Sequence, residues 1–540
     1  MKKSIYSILA VAALGISASS CTDQLNIEQK GVYESSTYYD DDEGVKSGLA
    51  LCMSYINNMA FETICSIGCL GDDIWPGGAN AGDQPGLHQF SGFYISTEND
   101  KVYNIYSFNY RLIYFCNLLI EAVEKNENAT DFMKSCAAEA YFLRGWAEFY
   151  LGVLWGNPPI VDHVLQPDEY GDVVNSEYGE MLEQAGKDFL TAINSGYLPQ
   201  KSALGDISNA AHCTLAAAQG YLGKVYLWQG KYTEAAAMFD NIISSGKYAL
   251  WDGPYEDIIK FPSNWSDEGV FEINCPPYQT DNTAPQLMSY VYQYAGWRED
   301  NFAMADAQGW LDEHFPNFNG TGYGFFNPQD KLYNALVEAD GGTPGYRTNS
   351  VVKGQDFVEG EMHIAKKPDA PAHGHGLYCG WKNRYEWSDC SLNWGGWSPF
   401  PATNFRFMRY AEVLLRAAEA NLQAGNSAKA LDYINQVRTR AQAPLYSSVD
   451  MDKIKLECQV ELCMEGHRFM DLVRWGDAEK ELGTQGQNIE QLDIDANGKW
   501  VLIPDAASNP SYGFKPYNKY LPYPKQEVDQ NPNIKQHDGY

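Results

Sequence analysis

The chain has 540 residues, a formal net charge of −31 and a sequence pI of about 4.6. That balance argues against nucleic acid as a partner, since phosphate binding needs clustered Lys and Arg, and it favours neutral ligands. Aromatic residues make up 14% of the chain, with 37 Tyr and 14 Trp; many belong to a core, but those flanked by Gly and Pro call for a role at the surface. Length alone suggests roughly three or four domains, a number that helical arrays routinely exceed.

Lys2 and Lys3 precede an apolar run from Ile5 to Ile16, then small residues from Ser17 to Ser20, then Cys21. Residues 1–20 therefore read as a secretory signal peptide, too short for a membrane span. A cysteine directly after small residues is similar to a bacterial lipobox, with Ala18 in place of the usual large aliphatic. Cys21 is thus the expected lipidation site, ordinary cleavage with a plain thiol being the alternative. Each acyl methylene contributes about 0.8 kcal/mol of membrane affinity, so a multiply acylated Cys21 would anchor the protein permanently. No later apolar run is long enough to cross a bilayer. Twelve cysteines less Cys21 leave an odd number, scattered without the spacing of a disulfide framework. Most read as buried thiols, with Cys379 and Cys390 the best candidates for a bridge.

Helical periodicity begins near Tyr38 and runs to Asn58, opened by the acidic run Asp40 to Glu43, where the helix dipole welcomes negative charge. Between Cys69 and Thr97 the pattern breaks into a Gly- and Pro-rich stretch that predicts a long ordered loop holding Trp75, and such loops are usually functional. Helices are predicted over 102–125 and 132–155, the second stopped by Gly156-Asn157-Pro158-Pro159, and over 178–193. Residues 210–246 then carry Leu222, Gly223, Tyr226, Ala235 and Phe239 at the spacing of a tetratricopeptide hairpin turning at Gln229-Gly230-Lys231. Residues 411–441 repeat the shape with Ala418, Gly425, Ala430 and Ile434. One such hairpin cannot bury its apolar face alone, so the two predict a stacked helical array.

Residues 269–273 read as a short strand, and 275–405 as a loop-rich insert. Helix is predicted again over 406–441 and 451–482, and a hairpin over 491–503 turning on Asn497-Gly498. The Pro- and Asn-rich tail from Tyr512 must lie against the body to be ordered. The expected fold is mostly α, an α–α superhelix of tetratricopeptide-like hairpins with a large loop-rich insert and a few short strands. It divides into an N-terminal helical region, 21–260, and a C-terminal region, 265–540.

Five stretches together carry a family likeness: Cys21-x-Asp23-x-Leu25; residues 138–161, AEAYFLRGWAEFYLGVLWGNPPIV; the hairpin ending at Tyr248; residues 409–420, RYAEVLLRAAEA; and Glu461-Leu462 through Glu465-Gly466-His467-Arg468-Phe469-x-Asp471-Leu472-x-Arg474-Trp475, with the closing Asn531-Pro532-Asn533 and Gly539-Tyr540. In these the chain resembles the SusD/RagB family of outer-membrane nutrient-uptake lipoproteins. Pro522-Tyr523-Pro524 and His537-Asp538 depart from the family's usual Pro-Ile-Pro and Asn-Pro. The resemblance implies a cell-surface glycan-binding lipoprotein of a polysaccharide-utilisation system. It would present oligosaccharide to a SusC-like TonB-dependent outer-membrane transporter, with no catalysis and no cofactor.

The residues are compatible with that. Sugar C–H faces lie on aromatic rings, each contact contributing about 0.5–1.5 kcal/mol, and hydroxyls bind Asn, Asp, Gln and Arg. Trp75 is the first candidate platform, with Asn80, Asp83 and Gln84 close by in sequence; next come Tyr292, Trp297, Arg298 and Trp310, the insert region that the resemblance implies, with Trp394 and Trp397 in reserve. The Glu465, His467, Arg468, Asp471 and Arg474 cluster reads as ion pairs and caps, not as a catalytic site. Asp493-x-Asp495-x-Asn497-Gly498 opens like a calcium loop but has Pro504 at its twelfth position, and His373, His375 and Cys379 lack a second ligand pair for a metal. A secreted glycoside hydrolase and a tetratricopeptide scaffold that binds only protein stay open as alternatives.

Overall fold

A computed structural model describes residues 38–78, 80, 82–274, 291, 294, 302–304, 323–353, 364–366, 378–383, 390, 391, 400–497 and 500–540. The first helix, α1 (Asp42–Phe61), is capped by Asp41, whose carboxylate accepts from the Gly44 amide at 2.8 Å. The acidic run expected there supplies both the cap and the first turn. α1 then widens into a π-helical turn, Glu62–Ser66, and a 3-10 turn, Ile67–Leu70. The predicted loop beyond is shorter than expected, because β1 (Ile74–Trp75) and α2 (Pro85–Gly92) form within it.

Two long helices follow, α3 (Asp100–Lys125) and α4 (Asp131–Trp155). α4 is buried along nearly its whole length and ends at Gly156, whose φ of 77° is a conformation that suits glycine. α5 (Glu180–Ser195) is tied to both, since Arg144 of α4 forks onto Asp188 at 2.6 and 2.8 Å and reaches Asn117 of α3 at 2.7 Å. The tetratricopeptide hairpin is α6 (Leu215–Trp228) and α7 (Tyr232–Ser244). A Cβ at Gly223 would stand 2.7 Å from the Phe239 ring, so the glycine is what lets the two helices close.

β2 (Gly269–Ile273) leads into the insert, of which β3 (Phe302–Met304), β4 (Asn327–Pro328), α8 (Asp330–Ala339), α9 (Tyr346–Val351), β5 (Val352–Lys353), β6 (Ile364–Lys366), β7 (Cys379–Gly380), β8 (Cys390–Ser391) and β9 (Phe400–Pro401) are described. α8 and α9 correct the loop-rich expectation for this part. Leu332, Ala335, Leu336 and Ala339 are buried at helical spacing, a signal the sequence reading passed over. Residues 406–409 are not helical as expected: β10 (Phe405–Arg409) pairs antiparallel with β2, Phe405 opposite Ile273. Only at Tyr410 does the second hairpin begin, α10 (Tyr410–Gln423) and α11 (Ser427–Arg440). It stacks on the first through Asp240 of α7, which accepts from Asn421 at 3.1 Å and Tyr433 at 2.9 Å and pairs with Lys429 at 2.5 Å.

The single helix expected over 451–482 is three: α12 (Met451–Glu461), α13 (Arg468–Trp475) and α14 (Ala478–Leu482). Gly466 lies between the first two at φ 83°, with the Thr63 carbonyl oxygen 2.4 Å from where a Cβ would be, so no helix continues through it. β11 (Glu490–Ile494) and β12 (Trp500–Pro504) form the expected hairpin. The tail, with α15 (Lys525–Gln530), does lie on the body: Leu521 donates to the Leu154 carbonyl at 2.7 Å, and the Trp155 indole donates to that of Pro522 at 2.9 Å. Eight described cysteines are buried and reduced; the side chains of Cys379 and Cys390, like Cys275 and Cys21, lie outside the described residues.

The charged residues of the 465–474 stretch pair with other elements: Glu465 with β10, Arg468 with the loop before β1, and both Asp471 and Arg474 with α10. Arg409, at the end of β10, donates to Glu268 at 2.8 Å, to Glu461 at 2.6 Å and to both oxygens of Glu465 at 2.8 Å. Arg468 reaches Asp72 at 2.7 Å, Asp471 accepts from Arg416 at 2.9 Å, and Arg474 forks onto Glu419. Burial pushes the Glu461 carboxyl up, but Arg440, Arg409 and Lys382 outweigh it and hold it down at about 2; Glu412, facing His467, Lys224 and Arg416, is likewise held at about 2. Both sit below their unfolded value of 4.5, so their stabilisation is complete above that value and is lost as pH falls from about 4.5 towards 2. Arg409→Met removes the partner shared by three buried carboxylates, leaving only Arg440 and Lys382 against them, and is expected to lower stability by about 3–5 kcal/mol in urea unfolding at pH 7. A loss below about 1 kcal/mol would show that the network does not hold the fold.

Candidate functional site

A cavity of about 570 Å³ opens where the π-helical turn, the loop before α2, the start of α3 and the insert meet. Its apolar wall is aromatic. Tyr294 packs edge-on to Phe61 with centroids 4.9 Å apart, stacks on Phe325 at 4.8 Å and meets Tyr323 edge-on at 5.5 Å. Phe108 of α3 adds a fifth ring. Between these rings stand Asn58, Asn104, Asp83 and Gln84, all part-exposed.

Local chemistry sets each of these groups. The Asn80 side chain accepts from the Gly82 amide at 2.8 Å and its carbonyl from that of Asp83 at 2.9 Å, a turn that delivers Asp83 to the cavity. Gly78, at φ 89°, donates to the Gly324 carbonyl at 3.1 Å, and a Cβ there would stand 2.6 Å from the Phe325 ring. Glycine therefore brings the loop against the insert. β1 pairs antiparallel with β4, Trp75 opposite Asn327, and the Asn327 amide donates to the Trp75 carbonyl at 3.2 Å. The loop's N-terminal end is fixed by the Arg468 fork onto Asp72.

At the floor lies Glu62, the first residue of the π turn and only 3% exposed. Extra-turn helices of this kind gather at functional sites. Its carboxyl accepts from the Ser66 hydroxyl and, at 3.1 Å, from the Asn104 amide. Burial pushes it up to about 7, against the Ser66 and Asn104 hydrogen bonds and the charge of Lys101. Lys101 lies 5.8 Å from the Phe61 centroid and pairs with Asp100 at 3.0 Å.

The sequence candidates fare unevenly. Trp75 is 1% exposed, packed edge-on to His88 at 5.9 Å and against Gly486, where a Cβ would come within 3.2 Å of its ring. The expected exposed platform is therefore corrected to a core ring: pairing with β4 turns it inwards, leaving neither face for a ligand. Asn80 is exposed but shapes the loop and does not line the cavity. Tyr292, Trp297, Arg298, Trp310, Trp394, Trp397, His373 and His375 lie outside the described residues, as does Cys21. The two regions named from sequence, the loop after Cys69 and the insert, do meet at the cavity, through Asp83, Gln84 and Tyr294. The sequence does not single out Phe61 and Glu62, just past the helix expected over 38–58, or Asn104, inside the helix expected over 102–125, where periodicity reads as scaffold. Tyr323 lies in a Gly-rich run, 320–324, inside the expected loop-rich insert, where nothing local marks it as a wall.

Residues 385–540 match the family model described as the SusD family, and residues 87–227 the one described as starch-binding associating with outer membrane. A SusD-like protein of Bacteroides ovatus is 24% identical across 97% of this chain and 96% of its own length, and one of Formosa agariphila 25% identical across 77% and 79%. Among solved structures, a laminarin-binding SusD-like protein superposes with a TM-score of 0.75 at 23% identity, covering 93% of this chain and all of its own. Surface glycan-binding protein A of Bacteroides thetaiotaomicron, in complex with laminarihexaose, does so at 0.69 and 21%, covering 92% and 99%. No helix among the described residues is long and apolar enough to cross a membrane.

The floor carboxyl gives a test of the cavity's polarity. The folded value of Glu62 lies above its unfolded 4.5, so the folded state holds a proton that the unfolded state loses between about pH 4.5 and 7. Its burial thus costs nothing at low pH and most above 7. Glu62→Gln is expected to change stability little at pH 5 and to raise it, on the order of 2 kcal/mol, at pH 8. A difference in urea midpoint that does not vary with pH would contradict this assignment.

Proposed function

We propose that this chain, which belongs to the SusD-like family, is a non-catalytic receptor that binds oligosaccharide in the aromatic cavity. From there the sugar passes to a SusC-like TonB-dependent outer-membrane transporter, while acylated Cys21 holds the receptor on the outer membrane. The observation that carries the reading is the mixed wall of the cavity, with Phe61, Tyr294, Tyr323 and Phe325 interleaved with Asn58, Asn104, Asp83 and Gln84. Rings accept the C–H faces of a pyranose and amides bind its hydroxyls, a pairing that suits neither a lipid nor a phosphate. Two or three ring contacts plus hydrogen bonds correspond to a Kd on the order of micromolar to millimolar, weak enough for the cargo to be handed on. The laminarin and laminarihexaose named for two similar structures make these the first ligands to try.

Hydrolysis is the second reading, because Glu62, held near neutral pH, shares the cavity with Asp83. The orientation of Glu62 weighs against it. Both its oxygens are engaged by Ser66 and Asn104, whereas a glycosidase acid must face the scissile bond opposite a second carboxylate.

Calorimetry with laminarihexaose and a panel of other oligosaccharides tests the proposal, with release of reducing ends followed in parallel. Binding without cleavage is expected, and Tyr294→Ala should weaken it about fivefold or more. Unchanged affinity in that variant would move the site elsewhere, and reducing-end release would favour the hydrolase.

A further inference from the structure

Beside the aromatic cavity, on the next face of α3, runs a second groove of about 510 Å³. Its floor is a tyrosine stripe, Tyr103, Tyr106, Tyr110 and Tyr114, at the three- and four-residue spacing that aligns side chains along one helix face. Tyr106 is buried edge-on to Trp155 at 5.2 Å, and the Tyr110 hydroxyl donates to the Pro159 carbonyl at 2.6 Å. Those two rings are fixed. Tyr103 and Tyr114 are 37% and 47% exposed, and Tyr170, on the opposite wall, is 58% exposed.

The walls are built as well. The stretch that carries Tyr170 is held to the C-terminal tail, Asn531 donating to the Val173 carbonyl at 2.9 Å and Asn533 to that of Gly171 at 2.6 Å. From the tail, Gln526 and Gln530 of α15 add amides to the rim. Arg111 of α3 is exposed at the edge, and no ion pair to it is found among the described residues. Exposed rings on a rigid floor, rimmed by amides and a guanidinium, repeat the chemistry of the first cavity.

The two spaces share a seam. Asn104 lines the aromatic cavity, while Ser107 and Arg111 line the groove. Spacings of three and four place Asn104, Ser107 and Arg111 in one continuous polar row, about 10 Å long at a rise of about 1.5 Å per residue. That length is short against an oligosaccharide.

We propose that the tyrosine groove is a second carbohydrate subsite, contiguous with the aromatic cavity, so that one polysaccharide chain occupies both faces of α3 at once. The proposal rests on the carbohydrate reading of the first cavity. Its consequence is a preference for polymers: once a chain is held in one subsite, the other meets it at high effective concentration, and affinity rises without new contacts.

Affinity electrophoresis of the full chain in native gels tests this, with laminarin and a panel of other soluble polysaccharides cast into the gel. Three proteins are compared: wild type, Tyr294→Ala, and the double variant Tyr103→Ala with Tyr114→Ala. The substituted groove rings are exposed, and matching thermal melts exclude misfolding. The double variant is expected to need about tenfold more polysaccharide for the same retardation, while its affinity for the shortest oligosaccharide that binds wild type stays within about twofold. Retardation equal to wild type in the double variant, with Tyr294→Ala impaired, would overturn the second subsite and leave the first standing, and would point to a protein partner for the groove. Failure of every polysaccharide to retard wild type would overturn both.

Discussion

Arg409 is the point on which the molecule turns. Its guanidinium sits where β10 hands over to the second helical hairpin, buried among Glu268, Glu461 and Glu465. Bringing four charges out of water is costly, and the arrangement survives only because the geometry satisfies them: Arg440 also reaches Glu268 and Glu461, and Lys382 from the insert pairs with Glu465. The network therefore welds the strand pair, the end of α12 and the insert into one frame. Apolar packing alone would allow these elements to slide; charge pairs of fixed direction do not.

From that frame the site follows by short steps. Glu465 and Arg468 are three residues apart, one serving the hub and the other clamping Asp72 two residues before β1. β1 pairs with β4, and the chain on either side of that pair supplies Asp83, Gln84, Tyr323 and Phe325 to the cavity. The helical hairpins contribute no side chain to it. Their task is stiffness, visible where Gly223 admits Phe239 and where Asp240 links one hairpin to the next. A receptor that must release its cargo gains from this division, because a preformed wall loses little entropy on binding and needs no strong contacts.

Helices and hairpins were legible because each has a local cause. Asp41 marks a cap, Gly156 and Pro158 a stop, and Gly223 with Ala235 a close crossing. What sequence pattern missed depended on partners distant in the chain. Residues 406–409 read as helix since the strand opposite them, β2, lies more than a hundred residues earlier. The break after Glu461 is set by Gly466 packing on Thr63, far away in sequence. The loop after Cys69 and the insert meet at the cavity, and Asp83 and Gln84 line it, but Trp75 does not: in sequence it reads as exposed in a Gly-rich loop, and only its pairing with the insert turns it inwards. Phe61 and Tyr294 carry no local mark distinguishing a wall from a core. The charged stretch around Arg468 was rightly read as structural, though Arg468 and Asp471 pair with other elements and not with each other.

Hydrogen–deuterium exchange with and without a polysaccharide that retards the protein tests the central claim most directly, since it reports every backbone segment at once. A rigid frame that presents a preformed aromatic cavity and groove predicts added protection confined to residues 58–66, 82–84, 101–114, 294 and 323–327 and to the groove walls at 170–173 and 524–531, with the hairpins at 215–244 and 410–440 unchanged. Protection concentrated on the hairpins, or spread evenly over the chain, would contradict it.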